Sequence, residues 1–252
     1  MEPARKLKEK LDRGDTVAGM LMVDHLWPLV VDVAINAGLD YIIICLEHGA
    51  YDPQTVTHVC TLGRHTGLAV FIRPAANDFR TLSRTIDMGP CGMLLAAIEG
   101  TQELDVVRDA IQMPPRGRRR PGGLGNRWVS DFNYATWKRQ VEADFIIVPQ
   151  IETRKGLENV AAIASHEIVT AMGIGPYDLS MALGADLNPE HRQFAQALQD
   201  IRQASEAAGK TVWRIGPDLS DLAAQGFNFL CLGDPMYLLT EAIRRKLTPT
   251  RG

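Results

Sequence analysis

The sequence predicts a (β/α)8 TIM barrel preceded by an N-terminal helix, and three observations carry that expectation. Short apolar runs alternate eight times with helix-like segments, the order of an α/β fold with a parallel sheet. The length of 252 residues suits one eight-stranded barrel, and no linker, repeat or low-complexity block divides it, so a single domain over 1–252 is expected. Polar residues also follow several of the apolar runs at their C-terminal ends, the rim where such barrels gather their chemistry.

The elements follow in order. MEPARKLKEKLDRGD reads as a charged leading helix and not as a signal peptide. Val17 to Val23 is continuously apolar, as a strand buried on both faces should be. Trp27 to Gly38 reads as a helix stopped by glycine, and Tyr41 to Cys45 (YIIIC) as a β-branched strand. Asp52 and Pro53 open the next helix as cap and first-turn proline. Ala69 to Ile72 forms strand three and ends in Arg73-Pro74. Phe79 to Met88 is a helix, Gly92 to Ala97 strand four, and Thr101 to Ile111 a helix. Pro114 to Asn126 has proline, glycine and arginine without an apolar period, so it is expected to be a long loop. After a short helix, Tyr134 to Val141, comes a strand–helix–strand unit from Phe145 to Ser180. Pro189 to Ala208 is a long amphipathic helix, Thr211 to Ile215 strand seven, and Leu219 to Gln225 a short helix. Phe229 to Leu232 is strand eight, and Pro235 to Lys246 the closing helix.

Composition excludes several function classes. A net charge of −3 argues against a dedicated nucleic-acid binder. No apolar run approaches the roughly 20 residues that span a bilayer. The four cysteines are dispersed, without a CxxC pair, which suits reduced thiols and a cytoplasmic protein.

The strand–helix–strand unit is expected to hold the chemistry. One strand ends in Gln150-Ile151-Glu152, and the next in Gly175-Pro176-Tyr177-Asp178. Parallel neighbours would each deliver a carboxylate at the same rim, with the Gln150 amide oxygen beside them. Such a set suits a hard divalent cation with oxygen ligands. The plainer alternatives stay open: Glu152 as a carboxylate favouring a helix N-terminus, and Asp178 as a cap for a turn beginning at Leu179. At the other strand ends stand Glu47, His48, Arg73 and Asp234, with Arg214 inside strand seven. His48 is a candidate general base and Arg73 a cation for a carboxylate or enolate oxygen. Their bland counterparts are a satisfied histidine and a buried salt bridge. Arg116, Arg118, Arg119 and Arg120 read mainly as a solvated loop face, and Cys45 as structural rather than as the nucleophile of a Cys/His pair. The loops after strands seven and eight, Gly216-Pro217-Asp218 and Gly233-Asp234-Pro235, are poor in backbone donors and disfavour a phosphorylated substrate.

The order Glu47-His48, Arg73-Pro74, Pro114-Pro115-x-Gly117-x-Arg119, Gln150-x-Glu152 and Gly175-Pro176-x-Asp178-Leu179-Ser180 resembles the HpcH/HpaI family of class II pyruvate-type aldolases, from Gly19 to Leu247. The resemblance implies a metal-dependent lyase of 2-oxo acids, usually a hexamer built as a trimer of dimers that exchange their last helix. It gives Glu152 and Asp178 to a Mg²⁺, Mn²⁺ or Co²⁺ ion, with Gln150 beside the metal and its water. It makes His48 the acid/base residue, sets Arg73 on the keto and enolate oxygen, and has backbone N–H groups around Gly175, Pro176, Tyr177 and Asp178 take the pyruvate carboxylate. The substrates implied are a 2-oxo acid and an aldehyde. The chain departs from the pattern where the family has an aspartate supporting the histidine: Cys45 stands there. Leu21, Ala96-Ala97 and Tyr177 also differ, on the acceptor side of the pocket. Asp24 and His25, at the mouth of strand one, are candidates to replace the missing carboxylate. An aldolase, an oxaloacetate-type decarboxylase on the same enolate, and a binding-only barrel are the readings that follow.

Overall fold

The computed structural model describes residues 1–120, 122–130, 133–188 and 190–247. Eight parallel strands close into a barrel in chain order. They are β1 (Val17–Met22), β2 (Tyr41–Cys45), β3 (Ala69–Arg73), β4 (Gly92–Leu95), β5 (Ile146–Ile151), β6 (Ala171–Ile174), β7 (Thr211–Ile215) and β8 (Phe229–Cys231). Each pairs with its sequence neighbour, and β8 returns to β1. The ring leaves no free sheet edge, so every strand end points to one common mouth.

Helix α1 (Glu2–Asp12) precedes the barrel, with Leu7 and Leu11 buried and Asp144 gripped by Arg5 (2.7 Å) and the Met1 amine (2.6 Å). The outer layer continues with α2 (Val30–Asn36), α3 (Pro53–Thr66), α4 (Phe79–Asp87), α5 (Thr101–Ile111) and α6 (Tyr134–Trp137), which widens into a π turn over Lys138–Glu142. Then come α7 (Arg154–Glu158), α8 (Val160–Ala164), α9 (Pro176–Ala182), α10 (Arg192–Ala207), α11 (Leu219–Ala224) and α12 (Pro235–Leu247). Asp52 caps α3 as expected, accepting the Thr55 N–H at 3.0 Å just ahead of Pro53.

Strand alternation divides the core in two. Inside the barrel, the Tyr41 hydroxyl donates to the Leu230 carbonyl (2.6 Å) and accepts the Trp213 indole N–H (2.9 Å). Phe71 and Phe229 pack on the same ring. A Cβ on Gly19 would strike that ring, so glycine is required there. On the outer face, Ile42 and Ile44 join Met20, Met22, Val56 and Val59 under α2 and α3. Tyr41, Phe71 and Phe229 fill the barrel interior, and Arg73, Gln150 and Glu152 stand at the C-terminal rim.

Several expected boundaries move. The helix expected from Trp27 begins at Val30, because the Trp27–Leu29 segment turns first. Strand four stops at Leu95, since Ala97 adopts a left-handed backbone (φ 50°) that no strand accommodates. The helix after β5 starts at Arg154, capped by Thr153, and breaks at Asn159. The expected loop at 114–126 runs into a 3₁₀ turn, Gly123–Trp128. The helix expected from Pro189 begins at Arg192, and Pro189 itself lies outside the described residues.

Candidate active site

The rim side chains are aimed by strand register. Cys45 and Arg73 are paired residues at the ends of β2 and β3, so both project into the barrel. The Arg73 guanidinium, 7% exposed, donates to the Cys45 sulfur through Nε (3.2 Å) and Nη2 (3.1 Å). Its Nε also lies 3.0 Å from Glu47 Oε2. His48 sits in the turn after β2, largely exposed, with Nε2 3.8 Å from the same Glu47 oxygen. Arg73 is therefore fixed on two sides, whereas His48 is open to solvent.

Glu152 is held from the neighbouring loop. It follows β5, is 6% exposed, and its Oε2 accepts the Ala97 backbone N–H at 2.6 Å. The left-handed turn at Ala97 brings that N–H into place, a strained conformation of the kind found at functional sites. Loop-to-loop bonds lock the arrangement: Ile98 N–H to the Gln150 carbonyl (3.2 Å), and Thr153 and Lys155 to the Glu99 carboxylate (2.9 and 3.1 Å). Burial pushes the Glu152 carboxyl up to about 7; the Ala97 N–H and Arg73 work against this, while Asp178 and Glu47 add to it. Negative charge is thus crowded at this point.

Gly175 completes the cradle. It is the N-cap of α9, and a Cβ there would overlap the Glu152 carboxylate. Asp178 is the third residue of α9, not a cap for a turn at Leu179: Pro176, with φ preset for a helix, starts the helix three residues earlier than expected. Tyr177 is 60% exposed at the rim. Gln150, 3% exposed, lies on the inward face of β5 opposite Gly173, and its Oε1 has no hydrogen-bond partner among the described residues.

Other candidates fall elsewhere. The Asp234 carboxylate accepts the N–H groups of Val23 (2.9 Å), Asp24 (3.2 Å) and Met236 (2.7 Å), which makes it a staple between the loops after β1 and β8. His25 stacks on Trp27 (5.4 Å). Arg214 alternates with the inward Trp213 and so points outward, over the Phe227 ring at 5.7 Å. Of the four loop arginines, Arg119 is buried on Asp87 (2.5 Å) and the Ser83 carbonyl (3.1 Å), and Arg116 and Arg118 pair with Glu167 and Asp109 on the surface. Arg119 is a brace for α4, made buried by the turn back toward Gln112. Two contributors were beyond sequence reasoning: the Ala97 N–H and the bond from Arg73 to Cys45. Neither leaves a sequence signal, because one depends on a left-handed alanine and the other on cross-strand register.

Known proteins are similar to this chain over nearly its whole length. The HpcH/HpaI aldolase/citrate lyase pattern matches residues 20–242. A hydroxypyruvate/pyruvate aldolase of Pseudomonas aeruginosa is 28% identical over 96% of this chain and 91% of its own. A 2-keto-3-deoxy-L-rhamnonate aldolase of Salmonella paratyphi B is 27% identical over 95% and 91%. The crystal structure of an HpcH/HpaI aldolase from Desulfitobacterium hafniense superposes with a TM-score of 0.87 at 25% identity, covering 98% of this chain and 97% of that one.

Proposed function

The chain belongs to the HpcH/HpaI aldolase/citrate lyase family, and from that premise we propose that it is a metal-dependent carbon–carbon lyase that cleaves or forms 4-hydroxy-2-oxo acids through a pyruvate enolate. The observation that carries the reading is the buried Glu152 carboxylate, fitted against Gly175 and crowded by Asp178 and Glu47 at the barrel mouth. Such crowding is relieved by a cation.

The donor set fits a hard divalent ion. Glu152 and Asp178 would hold Mg²⁺, Mn²⁺ or Co²⁺, and the unpartnered Gln150 Oε1 lies where an ion or its water has a use for an acceptor. Among the described residues no cluster of three or more His, Cys, Asp or Glu is suited to a metal, so two protein carboxylates would leave the remaining positions to water and substrate, as Mg²⁺ commonly requires. When bound, the ion supplies Lewis-acid polarisation of a 2-oxo acid.

The chain's own residues do the rest. Arg73, fixed by Cys45 and Glu47, offers its remaining N–H groups to the keto oxygen and stabilises the negative charge that grows there as the C3–C4 bond breaks. Because it is preorganised, little reorientation opposes that step. In the first turn of α9 the Gly175 N–H is taken by the Ile151 carbonyl (3.2 Å) and Pro176 carries none, so the N–H groups of Tyr177 and Asp178, without intrahelical partners, are the ones that suit the substrate carboxylate. His48, solvent-facing beside Glu47, accepts and returns the proton of the 4-hydroxyl. The substrates are then a small 2-oxo acid and an aldehyde. Four buried free thiols support action in the reducing cytoplasm, and no helix among the described residues is long and apolar enough to cross a membrane.

One observation favours a second reading. The Cys45 sulfur bonds to Arg73, and the acid nearest His48 is Glu47 at 3.8 Å, so the base is loosely supported. Decarboxylation of oxaloacetate leads to the same enolate without removal of a hydroxyl proton. Pyruvate-proton exchange in D₂O with Mn²⁺ or Mg²⁺ tests the shared step. Exchange should occur and be abolished by chelator and by Glu152→Ala; aldehyde-dependent product, against release of CO₂ from oxaloacetate, then separates the two lyases. No exchange with metal present would leave a binding barrel without turnover.

A further inference from the structure

Resting on that reading, the surroundings of Arg73 allow a finer assignment. The guanidinium has five N–H donors in a fixed fork. Nε and one N–H of Nη2 are directed to the Cys45 sulfur at 3.2 and 3.1 Å, and Nε lies 3.0 Å from Glu47 Oε2 as an ion pair. Cys45 is fully buried, and its position is set by pairing with Arg73 across β2 and β3. The pairing sets the side chain on the inner face of the barrel wall, the same face as Arg73. Gln150, 3% exposed on the inward face of β5, gives an independent sign that the barrel mouth takes an occupant, since its Oε1 has no partner among the described residues.

We propose that Cys45 is a positioning residue for the reaction: a neutral sulfur acceptor that aims the Arg73 fork into the mouth without neutralising it. A thiol is a weak acceptor and brings no charge. It therefore fixes direction while the guanidinium keeps its attraction for substrate oxygens, with Glu47 as the one carboxylate in ion-pair contact. A carboxylate at position 45 would place a second anion on the same two N–H groups and offset the positive charge that the remaining N–H groups present to the substrate. The consequence is a 2-oxo acid affinity that depends on the sulfur, while proton transfer at His48 does not.

The experiment compares wild type, Cys45→Ser and Cys45→Ala in the pyruvate-exchange assay, with pyruvate binding in the presence of Mn²⁺ measured in parallel by calorimetry. For Cys45→Ala, KM and Kd for pyruvate should rise about tenfold, the scale of a lost hydrogen bond to a charged group. The kcat–pH profile should stay in place. Cys45→Ser, which restores a neutral acceptor, should recover most of the affinity. Thermal midpoints of the variants show whether folding is intact, and Cys45→Ser carries the test if the alanine variant unfolds. Unchanged affinity in a folded Cys45→Ala variant would overturn the assignment. So would a shifted kcat–pH profile at constant KM, which would give position 45 to His48. Wild type that binds pyruvate but exchanges no proton defeats the functional reading alone, because Kd still judges Cys45.

Discussion

At the scale of single residues, Glu152 and Gly175 are one unit. The carboxylate fills the space that any side chain at 175 would occupy, and the Ala97 N–H holds its other oxygen at 2.6 Å. Gly175→Ala therefore forces either the α9 N-terminus or the Glu152 carboxylate to move. The expected result is a loss of stability of about 1–3 kcal/mol, the usual cost of overpacking. A more than tenfold weakening of Mn²⁺ binding should accompany it, read by calorimetry. An alanine variant with unaltered metal affinity would mean that Glu152 is not a ligand. Glu152, Asp178, Gln150 and Arg73 could be singled out from sequence because polar residues after apolar runs mark a barrel's rim. Cys45 could not be assigned to Arg73, because nothing in the string YIIIC tells which cross-strand neighbour its last residue meets. Residue type did not separate Arg119 from Arg116 and Arg118, although the family-like motif contains it, since burial there follows from chain reversal.

At the scale of elements, the α3 start was readable from Asp52-Pro53, whose cap and fixed φ act locally. The short α9 was not, since its Gly175-Pro176 start resembles a turn until the Ser180 hydroxyl accepts the Leu187 N–H (2.6 Å) and folds the following segment back. Attachment of α1 is likewise a tertiary matter. Burial of Asp144 pushes its carboxyl up, but hydrogen bonds from Arg5 and from the Met1 amine outweigh that and leave it below the usual range. The sign follows: a carboxyl depressed in the folded state stabilises fully above its unfolded pKa near 3.9 and loses that contribution as pH falls through the folded value. Asp144→Asn should thus cost about 1–3 kcal/mol at pH 7, where it leaves the amine buried beside a weaker acceptor. The gap to wild type should narrow below pH ~3.9, as urea unfolding at pH 7 and pH 3 would report. A gap that is constant with pH would remove the ion pair from the account.

At the scale of the molecule, the barrel itself was written plainly in eight alternations, because closed parallel sheets demand apolar strands and regular crossovers. What the alternation does not reveal is why the last helix is unlike the others. None of the α12 side chains is buried, and Met236, Tyr237, Leu239 and Ile243 stand 47–54% exposed on it. Beside it lies an apolar groove of about 740 Å³, lined by Met20, Trp27, Val30, Val33, Leu39 and Leu232 among others. A soluble monomer rarely exposes so much contiguous apolar surface. Proposed exchange of α12 between copies, in a homo-oligomer such as a hexameric trimer of dimers, would cover both the helix and the groove with the same residues, as a two-fold interface requires. Leu239→Glu with Ile243→Glu should then reduce the mass in light scattering from the oligomer to a smaller species. The circular dichroism of the barrel should be retained, because neither side chain belongs to the core of its own copy. A mass unchanged by both glutamates would show that α12 is not the interface, since two charges inside an apolar contact cannot be accommodated without a large penalty.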